Sequence, residues 1–134
     1  MAIRSVGVVG SGQMGNGIAQ VAACCGMEVT MVDVKQEFLD RGASAISNSL
    51  DKLVSKERMT RQEADSAFSR VSTSVDLESL SECDLVVEAI PEIPELKFST
   101  FSKLDSICKP RAILASNSSI TTSSIQAENT TGSK

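Results

Sequence analysis

Residues 5–17 read SVGVVGSGQMGNG, a β-branched run that ends in four glycines within eight positions. The apolar run at residues 3–9 is typical of a buried strand. Residues 14–25 place apolar side chains three and four positions apart, as on one face of a helix, and Gly26 suits the position just after a helix end. The stretch therefore predicts a strand, a glycine-rich turn and a helix in direct succession.

The rest of the chain continues this alternation of strand and helix. Thr60 opens a capping-box pattern, TRQE, which predicts that a short helix follows. We predict further strands at 28–34, 71–75, 84–90 and 112–115, and further helices at 35–56, 60–68 and 94–107. Alternation of this kind predicts an α/β fold in which helices cover both faces of a parallel sheet. The expected fold class is a doubly wound parallel sheet with a helical insertion after the second strand.

Composition argues against several classes of protein. The 134 residues carry a net charge of −4, and no tryptophan, tyrosine or histidine is present. We expect no nucleic-acid partner, because no basic cluster stands out, and no membrane span, because no apolar run approaches the ~18 residues required. The four cysteines lack the spacing of metal or redox sites, so we expect no metal and buried thiols in a reducing compartment. A cytoplasmic location is predicted, with mitochondria and peroxisomes left open.

Gly10, Gly12 and Gly15 satisfy the pattern G-x-G-x-x-G of dinucleotide-binding turns. The first glycine permits the turn after the strand, the second lets a pyrophosphate approach the main chain, and the third lets the helix pack on the sheet. The free N–H groups of the helix then face the phosphates. The alternative is a glycine turn that serves packing only. We expect Gly17 to allow close packing of the helix on a neighbour.

Asp33 follows Gly15 by eighteen residues, at the end of the second predicted strand. A carboxylate there accepts hydrogen bonds from the ribose hydroxyls of an adenosine and repels a 2′-phosphate. The predicted cofactor is therefore NAD rather than NADP, although the nearby Lys35 weakens that preference slightly.

Three stretches of the chain together resemble the 3-hydroxyacyl-CoA dehydrogenases, including the bacterial-type 3-hydroxybutyryl-CoA enzymes. They are VGVVGSGQMGNGIAQVAACCGMEVTMVDV, DLVVEAIPEIPELKFSTFSKLD and ILASNSSI, in that order along the chain. The resemblance implies that residues 1–120 are the NAD-binding Rossmann domain and residues 121–134 a polar tail, the start of a truncated connection. It implies an oxidoreductase of fatty-acid and butanoate metabolism, including β-oxidation, that interconverts (S)-3-hydroxyacyl-CoA and 3-oxoacyl-CoA.

In that family a second, helical domain completes the active site, forms the homodimer and supplies a His–Glu pair with histidine as general base. The present sequence has no histidine. The resemblance therefore implies that the C-terminal helical domain is absent and that this chain binds NAD with little or no turnover. Loss of a general base typically removes about 10²–10⁴-fold in rate. The alternative is a non-catalytic dinucleotide-binding module for redox sensing or assembly.

The resemblance also implies roles for individual cofactor-binding residues besides the three glycines and Asp33. Gln13 and Met14 match two residues whose main chain lines the pyrophosphate. Glu92 and Lys97 match a glutamate and a lysine that reach the nicotinamide end of the cofactor. Without the resemblance these two would be a solvated loop acid and a lysine on a helix surface.

The resemblance extends to the acyl-CoA substrate. Ser49 and Lys56 match positions that contact CoA, the alternative being an exposed helix face. Asn117 matches an asparagine near the nicotinamide ribose, and Ser119 matches the serine that hydrogen-bonds the substrate oxygen. Ser118 takes that place if one residue has been deleted, because SNSS departs from the family's SNTSS. These residues could instead cap a following helix.

Overall fold

The computed structural model describes residues 3–90, 94–109 and 112–116, which form a single parallel sheet with helices on both faces. Five strands lie in the order β3-β2-β1-β4-β5, and every neighbouring pair is parallel. In chain order the elements are β1 (Ser5–Val9), α1 (Gln13–Cys24), β2 (Glu28–Val32), α2 (Gln36–Ser55), α3 (Arg61–Ser69), β3 (Val71–Ser74), a 3₁₀ helix (Leu77–Leu80), β4 (Leu85–Glu88), α4 (Pro94–Ile107) and β5 (Ile113–Ser116). The predicted fold class is confirmed, including the helical insertion after the second strand.

Local signals in the sequence determine where helices begin and end. Gly26 has φ +91°, and the N–H groups of Gly26 and Met27 donate to the carbonyls of Ala23 and Ala22. These two bonds form a Schellman motif that ends α1, as predicted for this glycine. At the start of α3 the Thr60 hydroxyl accepts from the backbone N–H of Glu63, whose carboxylate accepts from the N–H of Thr60 in return. The predicted capping box is thus formed.

All five strands end at the same level, and this places the loops that follow them along one edge of the sheet. Val9 pairs with Val32 on one side and with Glu88 on the other, while Ser74 and Ser116 lie opposite the ends of the inner strands. After β1 the chain moves outward to β2 and β3, and then crosses to β4 on the opposite side of β1. The strand order reverses there, and open α/β sheets bind ligands at such a point.

Each face of the sheet has its own apolar core, because successive side chains of a strand point to opposite faces. On one face, buried Val8 and Met31 pack with α1, α2 and α3. On the other face, buried Val9 and Val86 pack with the 3₁₀ helix and with Leu104 of α4. The sheet is therefore covered on both sides, so its loops provide the accessible polar edge.

At the opposite edge of the sheet, a carboxylate that is only 8% exposed binds the start of β1 and the segment after α4. Asp84 accepts hydrogen bonds from the N–H groups of Arg4 and Ser5, and its Oδ1 lies 2.6 Å from Nζ of Lys109. The bond from Lys109, followed by that from the Arg4 N–H, holds the pKa of Asp84 well below its usual range. This cluster joins β1, β4 and the segment after α4, on the far side of the sheet from the glycine turn.

The predicted boundaries differ from the observed ones by at most two residues for every predicted element. The 3₁₀ helix was not predicted. The predicted tail at residues 121–134 lies outside the described residues, and so does the connection to it. In the part of the chain that the structure describes, no helix is both long and apolar enough to cross a membrane.

Candidate dinucleotide-binding site

The first glycine of the turn makes a sharp exit from β1. Gly10 has φ +105°, a left-handed conformation that favours glycine, and its N–H donates to the carbonyl of Val32. A Cβ at this position would lie 2.6 Å from the carbonyl oxygen of Ala89, which follows β4. The turns after β1 and β4 therefore touch at the reversal of strand order, and a side chain at Gly10 would separate them.

The third glycine lets α1 pack directly against the turn. A Cβ added at Gly15 would overlap the carbonyl oxygen of Gly10, so only glycine fits this position. Helix α1 can thus begin immediately beside the end of β1, as the pattern predicts.

The second glycine, Gly12, is exposed and has a different environment. It is the N-cap of α1, and a Cβ built on it would meet no atom of the described residues within 4 Å. No side chain in the described part of the chain caps this helix, and its first turn contains no acidic residue. The first N–H groups of α1 therefore face open space beside bare main chain, a geometry that suits an anion such as a pyrophosphate.

Asp33 lies next to this turn, one residue beyond β2. Its Oδ2 accepts hydrogen bonds from the N–H (2.9 Å) and from the hydroxyl (2.8 Å) of Ser11, and its Oδ1 accepts from the N–H of Val34 (2.7 Å). The carboxylate is thereby held between the glycine turn and the end of β2. The structure thus brings together the predicted acid and the predicted glycine turn.

A crevice of ≈ 1170 Å³ lies along this edge of the sheet. Its volume exceeds the roughly 300–1,000 Å³ of pockets for drug-sized ligands, which suits an extended ligand. The glycine turn and Asp33 form its floor, and one face of α4 forms a wall. That wall consists of Leu96, Ser99, Thr100, Lys103 and Ile107.

Charged and apolar groups alternate on the other side of the crevice. Phe38 of α2 lies between Lys35 and Arg41, whose charged groups are 5.7 and 5.9 Å from the centre of its ring. Val34 and Val75, which are 78% and 56% exposed, line the same side. This side of the crevice therefore presents apolar surface for a flat ring, one cation, Arg41, and the carboxylates of Asp76 and Glu78.

The other predicted site residues have different locations. Gln13 and Met14 line the crevice. Ser49 and Lys56 lie further along α2, half-buried and exposed respectively, and are not among the residues that line it. The predictions for Glu92, Asn117, Ser118 and Ser119 fall outside the described residues, as does the side chain of Lys97, whose backbone belongs to α4.

Sequence reasoning missed two residues that build the turn and was wrong about a third. Ser11 is only 3% exposed and binds Asp33. Gly42 of α2 packs on Ser11, and an isolated glycine within a helical pattern is the signal that pointed to such a close approach. The close packing expected at Gly17 is not found, because an added Cβ would have no described atom within 4 Å.

Potential metal ligands do not cluster in the described part of the chain, where no group of three or more histidine, cysteine or acidic side chains could hold an ion. All four cysteines are free thiols, but the prediction that they are buried is wrong for Cys24 and Cys25, which are exposed at the C-terminal end of α1. Burial raises the pKa of Cys83 to about 11, which keeps this thiol protonated at neutral pH. The crevice is lined by the main chain of the glycine turn, by the carboxylates of Asp33, Asp76 and Glu78, and by the cations of Arg41 and Lys103.

A glycine turn between β1 and α1, an acid after β2 and a crevice at the reversal of strand order define a Rossmann-type dinucleotide-binding domain. The model of the family described as 3-hydroxyacyl-CoA dehydrogenase, NAD binding domain, matches residues 5–134. This chain belongs to that family, it is the NAD-binding domain, and its cofactor is NAD.

Individual relatives agree with this assignment. The chain is 50% identical over 113 residues to a probable 3-hydroxybutyryl-CoA dehydrogenase of Deinococcus radiodurans, a match that covers 84% of this chain and 40% of the relative. The crystal structure of (S)-3-hydroxybutyryl-CoA dehydrogenase from Ralstonia eutropha superimposes with a TM-score of 0.85 at 40% identity, covering 88% of this chain and 42% of that one. The crystal structure of 3-hydroxybutyryl-CoA dehydrogenase from Escherichia coli superimposes with a TM-score of 0.90 at 35% identity. This match covers 96% of this chain and 27% of that one.

The chain spans about 40% of the length of the curated 3-hydroxybutyryl-CoA dehydrogenases that it matches. The relatives named above are dehydrogenases, so the comparisons support the oxidoreductase interpretation and not the alternative of a sensing or assembly module.

Proposed function

We propose that this chain provides the NAD site of an enzyme that interconverts (S)-3-hydroxyacyl-CoA and 3-oxoacyl-CoA in β-oxidation or butanoate metabolism. The observation that supports this most directly is the exposed Gly12 at the start of α1, beside Asp33 and at the reversal of strand order. When bound, NAD would accept the hydride from the carbon that bears the 3-hydroxyl group. The domain's contribution is to bind the cofactor and orient it.

In this proposal the cofactor extends along the crevice from Asp33 to α4. The main chain at Gly12, with the N–H groups of Gln13 and Met14, meets the pyrophosphate. Asp33 accepts a hydrogen bond from the adenosine ribose and repels a 2′-phosphate, so that NAD is preferred over NADP. Gly10, Gly12 and these residues line one crevice because β1 and β2 end at the same level.

The other residues that match family positions are assigned to the nicotinamide end of the cofactor and to the substrate. Glu92 and Lys97 reach the nicotinamide end, and Asn117 with Ser119 (or Ser118) contacts the ribose and the substrate oxygen. Ser49 and Lys56 contact CoA; Ser49 lies in the last two turns of α2, and Lys56 directly follows this helix. The partners are acyl-CoA, a helical domain with the general base and a second copy of the whole enzyme. We propose a cytoplasmic location, which the free thiols favour.

Calorimetric titration of the chain with NAD, NADP and acetoacetyl-CoA in parallel tests the proposal. We expect NAD to bind more tightly than NADP, and Lys56→Gln to weaken only acetoacetyl-CoA binding. Arg4→Gln is the matched control, since it also removes one exposed positive charge but lies at the opposite edge of the sheet. Equal affinity for NAD and NADP would contradict the role of Asp33.

A turnover assay tests whether this chain binds the cofactor without catalysing the reaction by itself. Since the chain has no histidine, we expect little or no oxidation of NADH when acetoacetyl-CoA is added to the NADH-loaded chain. Steady turnover would show that a general acid–base group lies within these 134 residues and would refute this part of the proposal.

A further inference from the structure

Ser11 holds the carboxylate of Asp33 with two donors at once. Its N–H and its hydroxyl both donate to Oδ2, at 2.9 and 2.8 Å. Ser11 is almost fully buried and Asp33 is half-buried, and both line the crevice. The serine hydroxyl is directed at the acid, to which it donates its hydrogen bond.

We propose that Ser11 is a positioning residue that determines which oxygen of Asp33 meets the ribose. A carboxylate has about four acceptor positions, two on each oxygen. Ser11 takes both positions on Oδ2, and the N–H of Val34 takes one on Oδ1. One acceptor position on Oδ1 is left for a single ribose hydroxyl, whereas the sequence predicts hydrogen bonds from both hydroxyls. This inference rests on the proposed contact between Asp33 and the adenosine ribose.

Helix α2 supports Ser11 from the other side. A Cβ added at Gly42 would lie 2.8 Å from the carbonyl oxygen and 3.0 Å from the Cβ of Ser11, so α2 packs against this residue with no space to spare. Ser11 is thus confined between α2 and Asp33. A shift of the serine in either direction would change the orientation of the carboxylate.

The physical advantage of this arrangement is preorganisation. An aspartate held by fixed donors loses little conformational freedom when a ligand binds, and the ligand affinity is correspondingly higher. Without the serine hydroxyl, Oδ2 would bind water and the carboxylate would rotate more freely. Removal of the serine hydroxyl should therefore lower the affinity only of ligands that hydrogen-bond to Asp33.

Calorimetric titration of Ser11→Ala with two ligands tests this inference. The ligands are NAD and an analogue in which the adenosine ribose lacks both its 2′- and 3′-hydroxyls. We expect about tenfold weaker binding of NAD, as for the loss of one hydrogen bond to a charged group, and unchanged binding of the analogue. Ser69→Ala, which removes a serine hydroxyl from the surface of α3, should bind both ligands like the wild type.

Asp33→Ala separates failure of this inference from failure of the proposed function. If Asp33→Ala leaves NAD affinity unchanged, the proposed ribose contact is wrong. If it weakens NAD binding while Ser11→Ala does not, the contact stands and the positioning role is overturned. The double variant should bind NAD no more weakly than Asp33→Ala alone, and an additive loss would also overturn the inference.

Two further variants cover the possibility that Ser11→Ala unfolds. Ser11→Gly removes the same hydroxyl with one carbon fewer to accommodate, and should lose NAD affinity to the same extent. Gly42→Ala retains both Ser11 and Asp33 but displaces the serine, and should also weaken NAD and not the analogue. Equal weakening of both ligands by these variants would indicate a purely structural role and refute the inference.

Discussion

Replacement of Gly12 by alanine should separate cofactor binding from folding. The added methyl group would meet no described atom within 4 Å, and the φ of −68° at Gly12 is accessible to alanine. The change in stability should therefore be limited to the poorer N-cap, which costs about 0.5–1 kcal/mol. The same methyl group would occupy the space where the pyrophosphate approaches the main chain.

The size of the effect on binding follows from the cost of one extra carbon in a close-packed contact. Such overpacking costs about 1–3 kcal/mol. At 1.4 kcal/mol for each factor of ten, NAD should bind about 5- to 150-fold more weakly to Gly12→Ala. Calorimetric titration with NAD and thermal unfolding followed by circular dichroism measure the two quantities on the same samples.

Gly17→Ala is the matched control, because Gly17 lies in the same helix, also has open space for a Cβ and does not line the crevice. It should raise the free energy of unfolding by up to about 1 kcal/mol and leave NAD affinity unchanged. Wild-type affinity in Gly12→Ala would refute the assignment of the pyrophosphate to this turn. Loss of cooperative unfolding in Gly12→Ala would refute the structural reasoning.

Three further predictions concern other parts of the fold. Thr60→Ala should remove the capping box of α3, lower the free energy of unfolding in urea by about 1 kcal/mol and leave NAD affinity unchanged. A urea midpoint equal to that of the wild type would contradict this. Because Lys109 lowers the pKa of Asp84, the stability that this carboxylate contributes is present above its unfolded pKa of about 3.9 and is lost as the pH falls below it. Asp84→Asn should therefore be less stable at pH 7 and lose less stability on acidification, whereas an unchanged pH profile would refute the role of the pair. In mass-spectrometric labelling with iodoacetamide, the exposed Cys25 should react before Cys83, whose burial raises its pKa to about 11; faster labelling of Cys83 in the native state would show that its site opens.

The elements of this fold could be predicted because their signals are local. Short apolar runs indicate strands, and apolar residues three and four positions apart indicate helices. Thr60 and Gly26 mark a helix start and a helix end through contacts within a few residues. The 3₁₀ helix at Leu77–Leu80 was missed although Asp76 caps it, since its four residues are too few for a periodic pattern. Parallel pairing followed from the alternation of strand and helix.

The sequence by itself determined the class of fold, the positions of the glycine turn and its acid, and the family, because these depend on residue types at short, fixed spacings. Tertiary structure alone decided that Ser11 binds Asp33, that Gly42 packs on Ser11, and that one face of α4 forms a wall of the crevice. Those contacts join residues that lie tens of positions apart in the chain. Their existence depends on how helices pack on the two faces of the sheet, which no local pattern of residues specifies.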